Sequence, residues 1–389
     1  MKKQLVLRKN EERRINAGHQ WIFSNEIASI TGDPQAGDIV ELSRSDGRFL
    51  GLGFYNPHSL IAYRHLTRQR EEISTDFFRG RIERAYAIRN MLFPEADAFR
   101  VVHGESDYLP GLVVDKYTDY CSIQTLSAGM DSRLPLIADL LESTLHVRAI
   151  VERNDAPVRL LEGLEQRKQV LRGTLAPCTI HEGGIAYSVD LLQGQKTGSF
   201  LDQRENRLAI RRYVRNASVL DCFCNEGGFA LNAAAGGAKQ VLGIDSSERA
   251  ILQARTNVKL NGYTNIQFEV GNVFDRLKEL LAAGDVYDLV ILDPPSFTKS
   301  RRNVTTALQG YKSINMHAMR LLRPGGVLLT ASCSHHITEE AFMRAIGESA
   351  ISARRSVRLL QFCGAAPDHP VLPGMPETAY LKLAILSVD

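Results

Sequence analysis

In 389 residues the chain has one tryptophan, six cysteines and no run of about 18 apolar residues. The missing run excludes an α-helical membrane span, which needs about 20 apolar residues to cross the hydrocarbon. Six cysteines spread over this length do not make a disulfide scaffold; they fit reduced thiols and a cytoplasmic protein. Neither sign of charge prevails, with 47 Lys and Arg against 44 Asp and Glu. A phosphate-binding face must therefore come from clustering, not from the total. The opening MKKQLVLRKNEERRINAG has charge but no apolar core behind it, so it does not read as a secretory signal. Cys222 and Cys224 form a C-x-C with no second pair at metal spacing, so no metal is expected. What remains is an ordinary globular composition, long enough for two or three domains.

Three segments follow. Residues 1–72 read as β-rich: GDIVELSRSDGRFLGLGFYN places two extended runs around Asp46-Gly47, a hairpin signal, and a small barrel or sandwich is expected. Leu50, Leu52 and Phe54 share one strand face, while Gly51 and Gly53 leave the other open to a close neighbour. Residues 73–185 read as a smaller α/β unit. Its first helix starts near Asp76, capped by Ser74 or Thr75. Phe78, Ile82, Ala85 and Leu92 form its apolar stripe, with Arg79, Arg81, Arg84 and Arg89 largely on a solvated face. Residues 186–389 alternate apolar strands with helices, from SVLDCF through QVLGID, IQFEVGN and VYDLVILDPP to VLLTASCS. Runs rich in Val, Ile and Leu suit strands buried on both faces, and the alternation implies a parallel, Rossmann-like sheet.

In open α/β sheets ligands bind beyond the carboxyl ends of the strands. Five successive strands here end in polar or small residues: Asp221 to Gly228, Asp245, Asn272, Asp293 and Cys333. In LDCFCNEGGFA the glycines admit a ligand to the backbone, and the next helix N-terminus offers N–H groups. The pattern is not G-x-G-x-x-G, which disfavours a pyrophosphate dinucleotide. Phe223, Cys224 and Gly227 would line this loop, with the C-x-C thiols themselves read as packing. Asp245, followed by Ser246, is placed to accept from ribose hydroxyls, and Asn272 and Val273 to meet an adenine edge and face. Together with Asp293-Pro294-Pro295 these point to S-adenosylmethionine, the alternative being another nucleoside or none.

Proline after Asp293 stops the strand ladder and stiffens the loop, so Asp293 is held with little freedom. Such a carboxylate can bind the amino group or ring N–H of a base, with Pro294 beside it and Phe297 stacking on the base or packing. Lys299 and Arg301, with Arg302, suit phosphates or a solvated loop equally. Cys333 follows an apolar strand directly. Methylating a base nitrogen needs no covalent help, but carbon 5 of a pyrimidine is a poor nucleophile until a thiolate adds to carbon 6. Cys333 is either that nucleophile or a buried structural thiol; a nearby Lys or His would have to favour its ionised form.

The stretches GHQWIFSNEI, GESDYLPGLVVD, GQKTGSFLDQRENR, DCFCNEGGFA, DPPSF, GYKSINM, SCS and PDHPV run nearly end to end. They resemble the class I S-adenosylmethionine-dependent rRNA methyltransferases of the large-subunit methyltransferase I type, which make 5-methylcytosine in 23S rRNA. The resemblance implies an N-terminal PUA barrel that binds RNA, a small central α/β domain and a Rossmann-like catalytic domain. It implies 23S rRNA or a large-subunit precursor as partner, and in the family dimers are common. It makes Cys333 the nucleophile, with Asp293 as its catalytic partner. Gln203 and Arg204 would help enclose the cofactor, and Trp21 and Lys196 would contact RNA. Two departures stand out: Ser296 replaces the second cysteine by which many RNA 5-methylcytosine enzymes release product, and Asn272 stands where an acid is common. A purine nitrogen methyltransferase and a non-catalytic RNA-binding protein remain as competing readings.

Overall fold

A computed structural model describes residues 2–298 and 300–389. The chain divides into two units. One holds Met1–Ile180, Val189–Leu201 and Pro367–Thr378; the other holds His181–Ser188, Asp202–Ala366 and Ala379–Asp389.

In the first unit, residues 4–67 form a six-stranded sheet. The hairpin around Asp46-Gly47 is present, joining antiparallel strands Ile39–Ser43 and Phe49–Tyr55. Gly53 is required by close approach: a Cβ there would lie 2.3 Å from the Arg64 carbonyl oxygen of the next strand. A second, five-stranded sheet spans residues 98–173, with helices Thr75–Leu92 and Leu134–Leu145 sharing its core. Phe78, Ile82 and Ala85 are buried as their spacing requires.

The same helix corrects three expectations. Ser74 is the N-cap, but its side chain makes no capping bond. Leu92, in the last turn, is 40% exposed. Arg89 is fully buried. It lies four positions after Ala85, hence on the same face, and charge is a poor guide to exposure when a partner waits inside. Its guanidinium donates to both Asp107 carboxylate oxygens at 2.6 and 2.8 Å and to the Asp368 carbonyl at 3.0 Å.

The second unit is built on one seven-stranded sheet. Its strands are β1 (Ser218–Cys222), β2 (Gln240–Asp245), β3 (Ile266–Val270), β4 (Tyr287–Leu292), β5 (Leu322–Ser332), β6 (Val357–Cys363) and β7 (Lys382–Val388). Between them run α1 (Gly228–Ala235), α2 (Glu248–Asn261), α3 (Val273–Ala283), α4 (Val304–Leu321) and α5 (Glu339–Ala353). The order is β3-β2-β1-β4-β5-β7-β6. The first five strands are mutually parallel; β7 inserts antiparallel between β5 and β6. Leu220, Leu289, Val290, Ile291 and Leu328 are fully buried, the mark of strands covered on both faces. The antiparallel pair at the far edge was not legible in the alternation, because among the described residues only a single 3-10 turn, Pro376–Thr378, and no α-helix separates β6 from β7.

Replacing Arg89 by Leu should cost roughly 3–5 kcal/mol, since it strands the Asp107 carboxylate in the interior. Urea unfolding followed by circular dichroism measures this, and a loss below about 1 kcal/mol would contradict the buried pair.

Candidate active site

The carboxyl edge of the sheet is shaped first by the loop after β1. Phe223 (φ 61°), Asn225 (φ 47°) and Gly227 (φ 81°) all adopt left-handed backbone. Only glycine does so without cost. The loop is held there by hydrogen bonds: Cys224 N–H donates to the Ile244 carbonyl at 3.1 Å, and Asn225 N–H to Asp245 Oδ2 at 3.0 Å. Gly227 is doubly constrained, since a Cβ would approach the Phe268 ring to 2.9 Å. Cys222 lies in the core, and Cys224 is buried beside Gly243, where an added Cβ would lie 3.1 Å from its sulfur. The packing role read for both thiols holds.

Asp221 is wholly buried. Its Oδ2 accepts the Ala230 N–H at 2.9 Å in the first turn of α1, while Oδ1 has no hydrogen-bond partner among the described residues. Burial pushes its carboxyl well above the usual carboxylate range; Asp293 and Asp245 add to this and the Ala230 N–H opposes it. A positively charged ligand group would relieve this penalty. Asp245 keeps both oxygens at the loop, Oδ2 toward Asn225 and Oδ1 accepting the Ser247 N–H at 2.9 Å, each with a second lone pair available. Ser246 beside it is exposed.

Asn272 and Val273 are corrected. The strand ends at Val270, and Asn272 is the N-cap of α3, its Oδ1 accepting the Phe274 N–H at 2.9 Å. Val273 is the first helical residue and its side chain lies in the core.

Across the sheet edge, Asp293 Oδ2 accepts from Gln203 Nε2 at 3.0 Å, and Gln203 Oε1 accepts from Asn206 Nδ2 at 2.7 Å. Cys333 follows β5, is half-buried, and its Sγ lies 3.9 Å from the Pro294 carbonyl oxygen. The thiol and the Asp293-Pro294 loop are thus neighbours. Ser296 Oγ sits 3.0 Å from Ser334 Oγ, which is 3.0 Å from the Tyr311 hydroxyl. Phe297 packs: its ring centroid is 4.7 Å from Tyr311 and 5.8 Å from Phe274, and Gly310 in α4 leaves room for it. Of its two expected roles, the aromatic cluster favours packing, because an aromatic after two prolines falls back toward α4. Lys382 from β7 donates to the Ser334 carbonyl at 3.0 Å. Sequence reading missed it, although a lysine inside the apolar run of β7 is a signal in itself.

Arg204 is buried with its Nε 3.5 Å from Glu182 Oε2, and Arg207 holds both Glu182 oxygens at 2.7 and 2.6 Å. Arg204 therefore faces a carboxylate of its own unit. Trp21 belongs to the first unit; its indole N–H donates to Glu105 at 2.7 Å and Arg64 lies over its ring, so its donor is engaged internally. Lys196, also in the first unit, is exposed with its ammonium 4.2 Å from the Phe200 ring centroid. Arg301 and Arg302 are exposed, and Lys299 lies outside the described residues. His335 is exposed, its ring 5.5 Å from that of Tyr380. Among the described residues no His, Cys, Asp and Glu cluster suits a metal, and no helix is long and apolar enough to cross a membrane.

Comparison with known proteins agrees with this geometry. Residues 5–68 match the model of a PUA-like domain, and residues 169–385 that of the S-adenosylmethionine-dependent methyltransferases. Ribosomal RNA large subunit methyltransferase I of Photobacterium profundum is 40% identical, and that of Aeromonas salmonicida is also 40% identical, each over 97% of both chains. Among solved structures, a candidate SAM-dependent methyltransferase from Streptococcus mutans superposes with TM-score 0.85 at 21% identity. The structure of SMU.776 with SAH does so with TM-score 0.87 at 21% identity. Each covers 100% of both chains, and at this identity the likeness shows the fold. S-adenosylmethionine is the cofactor, and the residues fit it: the partnerless Asp221 oxygen suits a cationic group, and Asp245 suits paired hydroxyls.

Because the folded value of Asp221 lies above its unfolded one, the group opposes folding as pH rises through the unfolded value. Asp221→Asn removes that cost while keeping an acceptor for Ala230. It should leave Tm unchanged or higher yet weaken S-adenosylmethionine binding at least about tenfold, read by calorimetry; a lower Tm with intact binding would refute the assignment. Motif, sheet order and relatives agree: the chain belongs to the S-adenosylmethionine-dependent methyltransferases and, within them, to the ribosomal RNA large subunit methyltransferase I family.

Proposed function

We propose that this protein methylates carbon 5 of a cytosine in 23S rRNA, free or in a large-subunit precursor, through a covalent bond to Cys333. The observation that carries the reading is the half-buried Cys333 sulfur beside Pro294, one residue from the fixed Asp293 carboxylate. The same family in its curated relatives acts on large-subunit rRNA by name. We place RNA recognition in residues 1–72, a linking α/β segment in 73–185 and catalysis in 186–389, in a cytoplasmic setting.

S-adenosylmethionine supplies a sulfonium methyl group. Asp293, held by Gln203, would orient the cytosine by accepting a hydrogen bond from its amino group. The Cys333 thiolate adds to carbon 6, and the electron pair moves to carbon 5. The cofactor, held at the Asp221 and Asp245 edge, would supply the methyl group that carbon 5 takes up and would leave as the neutral thioether. Loss of the carbon 5 proton to a base then expels the thiolate and restores the ring. Ser296 occupies the place of the second cysteine and is tied to Ser334, so that proton leaves by another acceptor or water.

Cys333→Ala should abolish 5-methylcytosine formation, with a fall of at least about 10³-fold, while binding S-adenosylmethionine normally. Labelled-cofactor assays on rRNA with mass-spectrometric mapping read this out. Full turnover by the variant, or label in a purine, would instead favour direct methylation of a ring nitrogen.

A further inference from the structure

Strand β7 carries a single charged residue, at its start. In Leu381-Lys382-Leu383-Ala384-Ile385-Leu386 every side chain is buried, and Lys382 is only 6% exposed. An ammonium there is costly unless hydrogen bonds and opposite charge compensate it. Two carbonyls accept from it, Ser334 at 3.0 Å and Tyr380 at 2.8 Å. Among the described residues no carboxylate forms an ion pair with it; burial lowers its affinity for the proton, and Cys333 ahead of Glu339 pulls it back up. The register explains the placement. Lys382 pairs across the ladder with Ser332, so its side chain reaches the turn that carries Cys333.

We propose that Lys382 is the buried counter-ion of the Cys333 thiolate, a positioning residue that keeps the nucleophile ionised near neutral pH. This rests on Cys333 being the nucleophile. The thiol gives its proton to water; the ammonium keeps its own, and no bond to Lys382 forms or breaks. Among the described residues, the neighbouring acids and Tyr311 do not supply the charge. Asp293, after β4, and Glu339, at the start of α5, would oppose a thiolate. Tyr311 of α4, bonded to Ser332 and Ser334, is held neutral by burial. His335 reaches solvent, and half-buried His336 follows it in the chain.

The test reads the thiol itself. Alkylation of the full-length protein by iodoacetamide at a series of pH values, followed on the Cys333 peptide by mass spectrometry, should give a midpoint below that of an ordinary thiol, about 8.5. Lys382→Met should raise the midpoint by about one pH unit, slowing alkylation about tenfold at neutral pH, and Lys382→Arg should restore most of it. An unchanged profile in Lys382→Met would overturn the proposal. Should Lys382→Met fail to fold, thiolate absorbance of the wild type minus Cys333→Ala decides: a midpoint at or above about 8.5 overturns it, and a lower one supports it. Methyl transfer by Cys333→Ala is scored separately. If that variant retains turnover while the Lys382 shift is seen, the covalent reading fails and the ion pair stands.

Discussion

Strand direction is the constraint on which the site depends. Five parallel strands, β3-β2-β1-β4-β5, deliver their carboxyl ends to one edge, and with them Asp221, Asp245, Asp293 and Cys333. An antiparallel sheet of the same residues would scatter them to opposite edges. Parallelism requires crossover helices, the helices cover both faces, and coverage demands the apolar runs that dominate this half of the sequence. The polar groups named here thus gather at the carboxyl ends of these runs.

That edge gathers acids at a cost. Asp221 is buried with one oxygen unpartnered, within the influence of two further carboxylates. In isolation this is a local destabilisation; beside a sulfonium and an ammonium it becomes complementarity. The left-handed backbone at Phe223 and Asn225 has the same character. The bonds from Cys224 N–H to the Ile244 carbonyl and from Asn225 N–H to Asp245 hold that strain in place.

Most of this was legible in the sequence where burial and chemistry agree. The strand-end residues, the Asp46-Gly47 hairpin and the glycines facing a neighbouring strand could all be read from pattern. Arg89 and Lys382 escaped because chemistry and environment disagree: both are charged but interior, and each is recognised only once its partner is known. Val273 reads as a strand end in the sequence, yet β3 stops at Val270 and Asn272 caps a helix. Phe297 could have faced a ligand or the core, and its contacts with Tyr311 and Phe274, with the room left by Gly310, are not visible in the sequence.

The path of the chain has a consequence for its synthesis. Between β6 and β7, residues 367–378 leave the second unit and pack as part of the first. Strand β7 nonetheless lies between β5 and β6. During synthesis the place between β5 and β6 can be filled only once residues 382–388, which follow both strands in the chain, have been made. The strand that joins those two neighbours also brings the lysine whose ammonium reaches the turn carrying the thiol.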